Sequence, residues 1–387
     1  MHVLVIHNHY LVRGGESEVF ENEVALLRQN SQDVTTYTRH NQQISDIPPW
    51  RTALRTVWSS EDYRALRRLI REKRPDVVHI HNSFPLISPS AIHAAKAEGL
   101  PVVQTLHNFR LFCANALLFR GGQVCEECLR RSPPWPALAH ACYRADRLAT
   151  LAVVLMTAVH RILRTYTRKV DVYIALTGFA RQKAIQGGLL PQKVVVKPNF
   201  VSPDPGVGRG NGAYMLFVGR LSAEKGIATL LDAWAGLSGR VPLKIVGDGP
   251  MADEVREAAD RLVGVEWLGR QPRERVLALM KGAQGLLLPS LSYEGFPKVI
   301  VEAYSVGLPV IGSDLGSLSC LIMPGRTGLH VSPGNAKDLA AQVERLANRP
   351  AELAQMRQGA RQEFESKYTA QRNHEMLIDI YRSVGAR

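Results

Sequence analysis

The chain is 387 residues long and 45% apolar, enough for two domains of ordinary size, each with its own core. Its formal net charge of +13 is uneven: residues 1–205 hold 26 Lys and Arg against 16 Asp and Glu, the rest 22 against 19. A basic half suits an acidic membrane surface or a pyrophosphate-linked acceptor; nucleic acid is set aside, because no basic run is interleaved with aromatics and no nucleic-acid motif occurs.

The opening MHVLVIHNHY has no basic segment, long apolar stretch or cleavage site, so no signal peptide is expected. The most apolar run, Leu148 to Val159, is too short to span a bilayer. The expected location is the cytoplasm, with room for peripheral contact at the inner face of the membrane.

In chain order, HVLVIH reads as a buried strand and LVRGGESEVFENEVALLRQ as a glycine turn feeding an amphipathic helix. Gly14 and Gly15 let backbone approach a ligand, although the dinucleotide fingerprint G-x-G-x-x-G is missing. DVTTYT is a second strand, SSEDYRALRRLIREKRP a helix, and DVVHIHN a strand with His79 and His81 on one face. After a further helix, PVVQTLHNF is a strand ending at His107. Ligands gather at the carboxyl ends of strands in an open parallel sheet, which marks Asn82 and His107, though a lone histidine is more often structural.

Residues 110–145 interrupt the alternation and hold Cys113, Cys125, Cys128 and Cys142. Two readings stay open. The thiols are plain buried or free side chains, or they hold a structural zinc ion, with His140 as a substitute ligand. RLATLAVVLMTAVHRILRTYTRKV reads as one helix, apolar first and basic later. It is a core helix or a surface leaning on an anionic membrane, and the scarcity of polar residues in its first turns favours the core. VDVYIALT and KVVVKPNFV close the first half.

PNFVSPDPGVGRGNGA is a linker by its Pro and Gly content, and strand–helix alternation restarts after it. In FVGRLSAEKG, Arg220 follows a strand and Lys225 precedes a helix, a pair of cations suited to a diphosphate. Arg270, in WLGRQP, touches a base or caps a strand. In PSLSYEGFPKVIVEAYSVGLPVIG, a helix is predicted from Phe296 to Ser305 with Pro297 in its first turn. Glu294 then stands at the mouth of that helix and Glu302 about two turns inside. The first-turn N–H groups make an anion site. No Asp-x-Asp pair stands at a strand end, so no catalytic metal is called for. The tail from Ala351 reads as two amphipathic helices.

The glutamate pair in EGFP…VEAYSVGLPVI, with VGRL…EKG before it, resembles the signature of the family 4 retaining glycosyltransferases. The resemblance implies an α/β chain of GT-B architecture: two Rossmann-like doubly wound domains facing a cleft, with a C-terminal helix crossing back to the first domain. The domains would be an acceptor-side 1–200 carrying the 110–145 insertion, a nucleotide-sugar-binding 201–365, and a crossing helix at 366–387. It further implies that His107, Arg220, Lys225 and Glu294 form the catalytic group, with His107 against the donor sugar and Glu294 on its hydroxyls. Glu302 would hold the ribose, and Phe296, Pro297, Lys298 and Val299 would lie near the diphosphate. Gly14 and Gly15 would lie near phosphate and acceptor, and Gly247, in IVGDGP, would border the base.

Where members commonly carry Asp after the histidine, this chain has Asn108, which leaves open what supplies charge there. The chain also shows Ser317 and Cys320 where Gly-Gly and Glu are common. The implied donor is a UDP- or GDP-sugar, with no catalytic cofactor. The implied acceptor is a hydroxyl, expected on a lipid-linked saccharide of cell-surface polysaccharide synthesis. Two alternatives are carried: a catalytically silent sugar-nucleotide-binding or scaffold protein, and a nucleotide-sugar epimerase of the same architecture.

Overall fold

The computed structural model describes residues 1–12, 14–131 and 133–386. It divides into two compact units. Met1–Leu118, Cys125–Pro198 and Asn373–Arg387 form the first, and Phe119–Val124 with Asn199–Arg372 the second.

The first half of the chain opens with β1 (His2–His9), α1 (Gly15–Gln29), β2 (Asp33–His40), α2 (Pro49–Val57) and α3 (Ser60–Lys73). It continues through β3 (Val77–Asn82), α4 (Ser90–Ala97), β4 (Val102–Leu106) and a hairpin, β5 (Phe119–Arg120) with β6 (Gln123–Val124). α5 (Trp135–Ala139), α6 (Arg147–Ile162), β7 (Val172–Ala175), α7 (Gly178–Gln186) and β8 (Val194–Val196) complete it. The six-stranded sheet of this unit runs β2-β1-β3-β4-β7-β8, parallel throughout.

Because a strand alternates its faces, β1 feeds two cores. Leu4 and Ile6 pack with Leu66, Ile70, Val78 and Ile80 on one side. Val3 and Val5 pack on the other side with Phe20, Val24 and Leu27 of α1, and with Leu377, Ile380 and Tyr381 from the end of the chain. The C-terminal helix is thus part of the first unit's core.

The second half begins with β9 (Met215–Val218), α8 (Ile227–Leu237), β10 (Leu243–Val246), α9 (Ala252–Arg261) and β11 (Val265–Trp267). α10 (Arg273–Gly282), β12 (Gly285–Leu288), α11 (Lys298–Ser305), β13 (Val310–Ser313), α12 (Ser317–Leu321) and β14 (Gly328–Val331) follow. α13 (Ala336–Asn348), α14 (Pro350–Lys367) and α15 (Ala370–Ser383) end the chain. The second sheet, also parallel, runs β11-β10-β9-β12-β13-β14. Its core joins Met215 and Phe217 to Trp234 and Leu237 of α8 and to Leu339, Val343 and Leu346 of α13.

Two predicted elements are shorter than expected. The apolar helix stops at Ile162, because Arg164 takes a left-handed φ of 52° and Thr165–Lys169 forms a separate π turn. α11 begins at Lys298, with Pro297 as its extended cap (φ −65°, ψ 112°). No helix among the described residues is long and apolar enough to cross a membrane.

Candidate active site

Each sheet reverses its winding once, and that switch point is where an open parallel sheet leaves a crevice at its carboxyl end. In the second unit the reversal falls between β9 and β12. The loops following those two strands carry Arg220, Lys225 and Glu294.

Gly219 N–H bonds Val246 O at 3.0 Å as the chain leaves β9, and Arg220 follows, exposed. The short turn Ala223–Lys225 leads through Gly226 (φ 73°) into α8. Leu291 N–H donates to Glu224 O at 2.9 Å, tying this turn to the loop after β12. Across that tie, Lys225 Nζ meets Glu294 Oε1 at 2.6 Å, and Ser290 Oγ donates to the same oxygen at 2.7 Å. Ser317 Oγ, at the start of α12, donates to Gly295 O at 3.0 Å and steadies the step into α11.

Phe296 is buried, its ring against Tyr368, so the cap is anchored from below. The N–H groups of Lys298 and Val299 have no acceptor within α11, while Ile300 N–H bonds Pro297 O at 3.1 Å, and the turn carries no acidic residue. It therefore keeps its positive end for an anion. One turn on, Glu302 lies 3.6 Å from Lys298 Nζ and 3.7 Å from Arg273 Nε, a carboxylate beside two cations and suited to accept from hydroxyls.

Gly247 has φ 142°, and a Cβ there would stand 1.8 Å from Gly219 O, so only glycine lets these two loops touch. Trp267 Nε1–H bonds Gly247 O at 3.1 Å. Arg270 pairs with Asp248 at 3.1 Å on the surface.

In the first unit the reversal falls between β1 and β3. Gly14 caps α1 in extended backbone and Gly15 is its first residue; both are exposed, with open space where a side chain would stand. Glu18 already stands in the first turn of α1, which makes it a poorer anion site than α11. His107 follows β4, and its Nε2 lies 3.0 Å from His81 Nδ1. Burial, with His81 and His7 nearby, holds the His107 ring well below its ordinary pKa, so it is neutral. Asn82 is structural: it donates to Asn8 O and accepts from Phe84 N–H.

Sequence reading missed Glu16. Asn108 Nδ2–H donates to its Oε2 at 3.2 Å, and its Oε1 is buried without a hydrogen bond among the described residues. Burial pushes this carboxyl up to about 8, against the pull of Arg110 and Asn108. A carboxyl thus stands beside Asn108 after all, supplied from α1. The Gly-Gly-Glu step was its only trace in the sequence.

Among the described residues, no disulfide joins the four clustered cysteines. Cys113 Sγ lies 2.9 Å from Asn115 Oδ1, and burial pushes the Cys128 thiol up to about 11. Among the described residues, the one set of donors close enough for a single ion is Glu23, His79 and His81, all buried. Lys197 Nζ occupies that carboxylate at 2.7 Å and Tyr381 OH meets His79 Nδ1 at 2.7 Å, which suits a hydrogen-bond network better than a cation.

Comparison with known proteins follows the same division. The family description "Glycosyltransferase Family 4" matches residues 2–205, and "Glycosyl transferases group 1" matches residues 205–363. A glycogen synthase of Mycobacterium tuberculosis is 27% identical over 321 residues, 80% of this chain and 69% of its own length. A phosphatidyl-myo-inositol mannosyltransferase of Mycolicibacterium smegmatis is 29% identical over 308 residues, 76% of this chain and 68% of its own. Among solved structures, Anabaena HepE in complex with UDP superposes with a TM-score of 0.71 at 18% identity, over 99% of this chain and 100% of its own. That last likeness is one of fold.

Proposed function

Because this chain belongs to glycosyltransferase family 4 and has two Rossmann-like parallel sheets, we propose that it is a retaining hexosyltransferase using a nucleotide-diphosphate sugar. The observation that carries the reading is the Lys225–Glu294 pair, 2.6 Å apart at the switch point of the second sheet, beside an acid-free helix N-terminus.

In this reading the diphosphate lies on the first-turn amides of α11, with Arg220 and Lys225 around it. Glu294 accepts from hydroxyls of the sugar, and Glu302 accepts from the ribose. The bond from the sugar's anomeric carbon to the diphosphate breaks, and the acceptor oxygen bonds to that carbon on the same face. The acceptor's proton passes to the departing phosphate oxygen. Arg220, Lys225 and the helix amides hold the charge that grows there, the part a metal ion plays in other designs. Chelator should therefore leave the rate unchanged.

We place the acceptor on a lipid-linked saccharide at a membrane surface. α2 and α6 pack side by side, and Trp50, Leu54, Leu148 and Ile162 are each at least 60% exposed on them. The first half carries most of the positive charge. The mycolicibacterial relative is named for a phospholipid.

The test is a thermal-shift panel of UDP, GDP, ADP and their sugars, followed by transfer assays. A ligand bound only by the folded chain raises its melting temperature. One base should give a shift that Lys225→Ala abolishes, and Lys225→Ala and Glu294→Gln should each lower transfer roughly 100-fold or more with the fold intact. Full turnover in both variants would overturn the assignment. A shift with no transfer to any acceptor would point to a binding protein.

A further inference from the structure

Beneath His107 lies a chain of buried polar groups drawn from α1, β3, β4 and α15 and from Lys197, just past β8. Glu23, on α1, is 2% exposed. Its Oε2 pairs with Lys197 Nζ, also 2% exposed, at 2.7 Å. Lys197 gives a second proton to Asn373 Oδ1 at 3.0 Å, and Asn373 donates in turn to Pro198 O. The other carboxylate oxygen, Oε1, lies 3.1 Å from His81 Nε2 and 3.2 Å from His79 Nδ1. His79 is closed off by Tyr381 OH at 2.7 Å and Thr105 Oγ1 at 2.8 Å. His81 has one partner left, His107 Nε2, at 3.0 Å from its Nδ1.

The direction of these bonds follows from chemistry. A carboxylate accepts only, so His81 presents Nε2–H to Glu23 and its Nδ1 is the ring nitrogen left to accept. His107 therefore donates through Nε2–H. Its Nδ1, with no protein partner among the described residues, is left as a bare lone pair. A buried ion pair is rarely the cheapest way to fill a core. This one ends on His107, half-buried at the carboxyl end of β4.

We propose that Glu23 and His81 are positioning residues that lock His107 as its Nε2–H tautomer, so that Nδ1 accepts a hydroxyl proton from the bound sugar. Lys197 and Asn373 hold Glu23 in place as the anchoring carboxylate. The proposal rests on the glycosyl-transfer reading and on the expectation, carried by the family resemblance, that His107 faces the donor sugar.

The test uses the full chain with histidine ring nitrogens labelled and read by long-range proton–nitrogen NMR. Wild-type His107 should show a protonated Nε2 and a bare Nδ1 in neutral solution. The double variant Glu23→Met/Lys197→Met removes both charges together at nearly constant volume. It should leave His107 as a mixture of tautomers and lower kcat roughly 10- to 100-fold, with KM for the donor little changed, as for other outer partners of an imidazole. His107 protonated at Nδ1 in the wild type, a measurement that needs no variant to fold, would overturn the proposal. So would an unchanged tautomer in the double variant. Full transfer by His107→Ala, with the wild-type tautomer as expected, would instead sink the placement of His107 at the sugar and leave the tautomer lock standing.

Discussion

Gly226 carries the chain from the Lys225 turn into α8 at φ 73°, and a Cβ there would stand 1.9 Å from Pro289 O. Both the left-handed backbone and the missing space are needed to bring Lys225 to Glu294. Gly226→Ala should cost roughly 2–4 kcal/mol in a denaturant melt and lower transfer as Lys225 is displaced. Glu16 makes a second prediction, of opposite kind. Its carboxyl sits at about 8 in the folded chain against an ordinary 4.5. The folded state therefore binds the proton more tightly than the unfolded one. That contribution is complete below 4.5 and is lost as pH rises through 8. Glu16→Gln should melt like wild type near pH 5 and several degrees higher at pH 9. Neither role could be read from the sequence. A glycine pattern does not say which carbonyl lies opposite, and Glu16 owes its burial to residues over 90 positions away.

Elements were far more legible than single contacts. Strands such as HVLVIH and QGLLLP are buried on both faces, so they read as continuous apolar runs. The boundaries erred where identity leaves backbone undetermined. Proline fits a cap as well as a first turn, so α11 started one residue beyond Pro297, and nothing about Arg164 announces a positive φ. α6 shows why the choice between core helix and membrane face was posed too sharply. Ala152, Val153, Val154 and Met156 are buried, while Leu148 and Ile162 lie in the open on the same helix. The proposed lipid contact can be checked here. The chain should float with vesicles of acidic phospholipid in low salt and release as salt rises, and Leu148→Asp/Ile162→Asp should weaken that binding roughly 10-fold or more without moving the melting temperature. Unaltered flotation of the variant would remove α6 from the contact.

At the scale of the whole molecule, two doubly wound sheets on either side of one linker could be read from strand–helix alternation alone. The uneven chemistry of the two units could not. Every histidine except His330 belongs to the first unit. Burial holds His7 down to about 2, His79 and His93 to about 4, and His107 and His160 below their ordinary range too. A ring whose folded value is depressed supports the fold fully above the free value near 6.5, and that support is lost as pH falls below it. At pH 5 the cost is on the order of 1–2 kcal/mol per ring. Calorimetry should show a transition of the first unit that drops steeply between pH 7 and 5 while that of the second hardly moves. A single transition that shifts little over this range would refute the prediction.

The return of the chain's end to the first core also has a meaning for its birth. Lys197 reaches its partner Asn373 across 176 positions of sequence. At ribosomal speeds of about 5–20 residues per second, roughly 10 to 35 s separate the synthesis of the two. During that interval the nascent sheet carries a charged pair not yet sealed and an apolar face still awaiting Leu377 and Tyr381. The first unit's core is thus completed only when the last helix has been made, and until then its open face is the part of the nascent chain most exposed to misfolding.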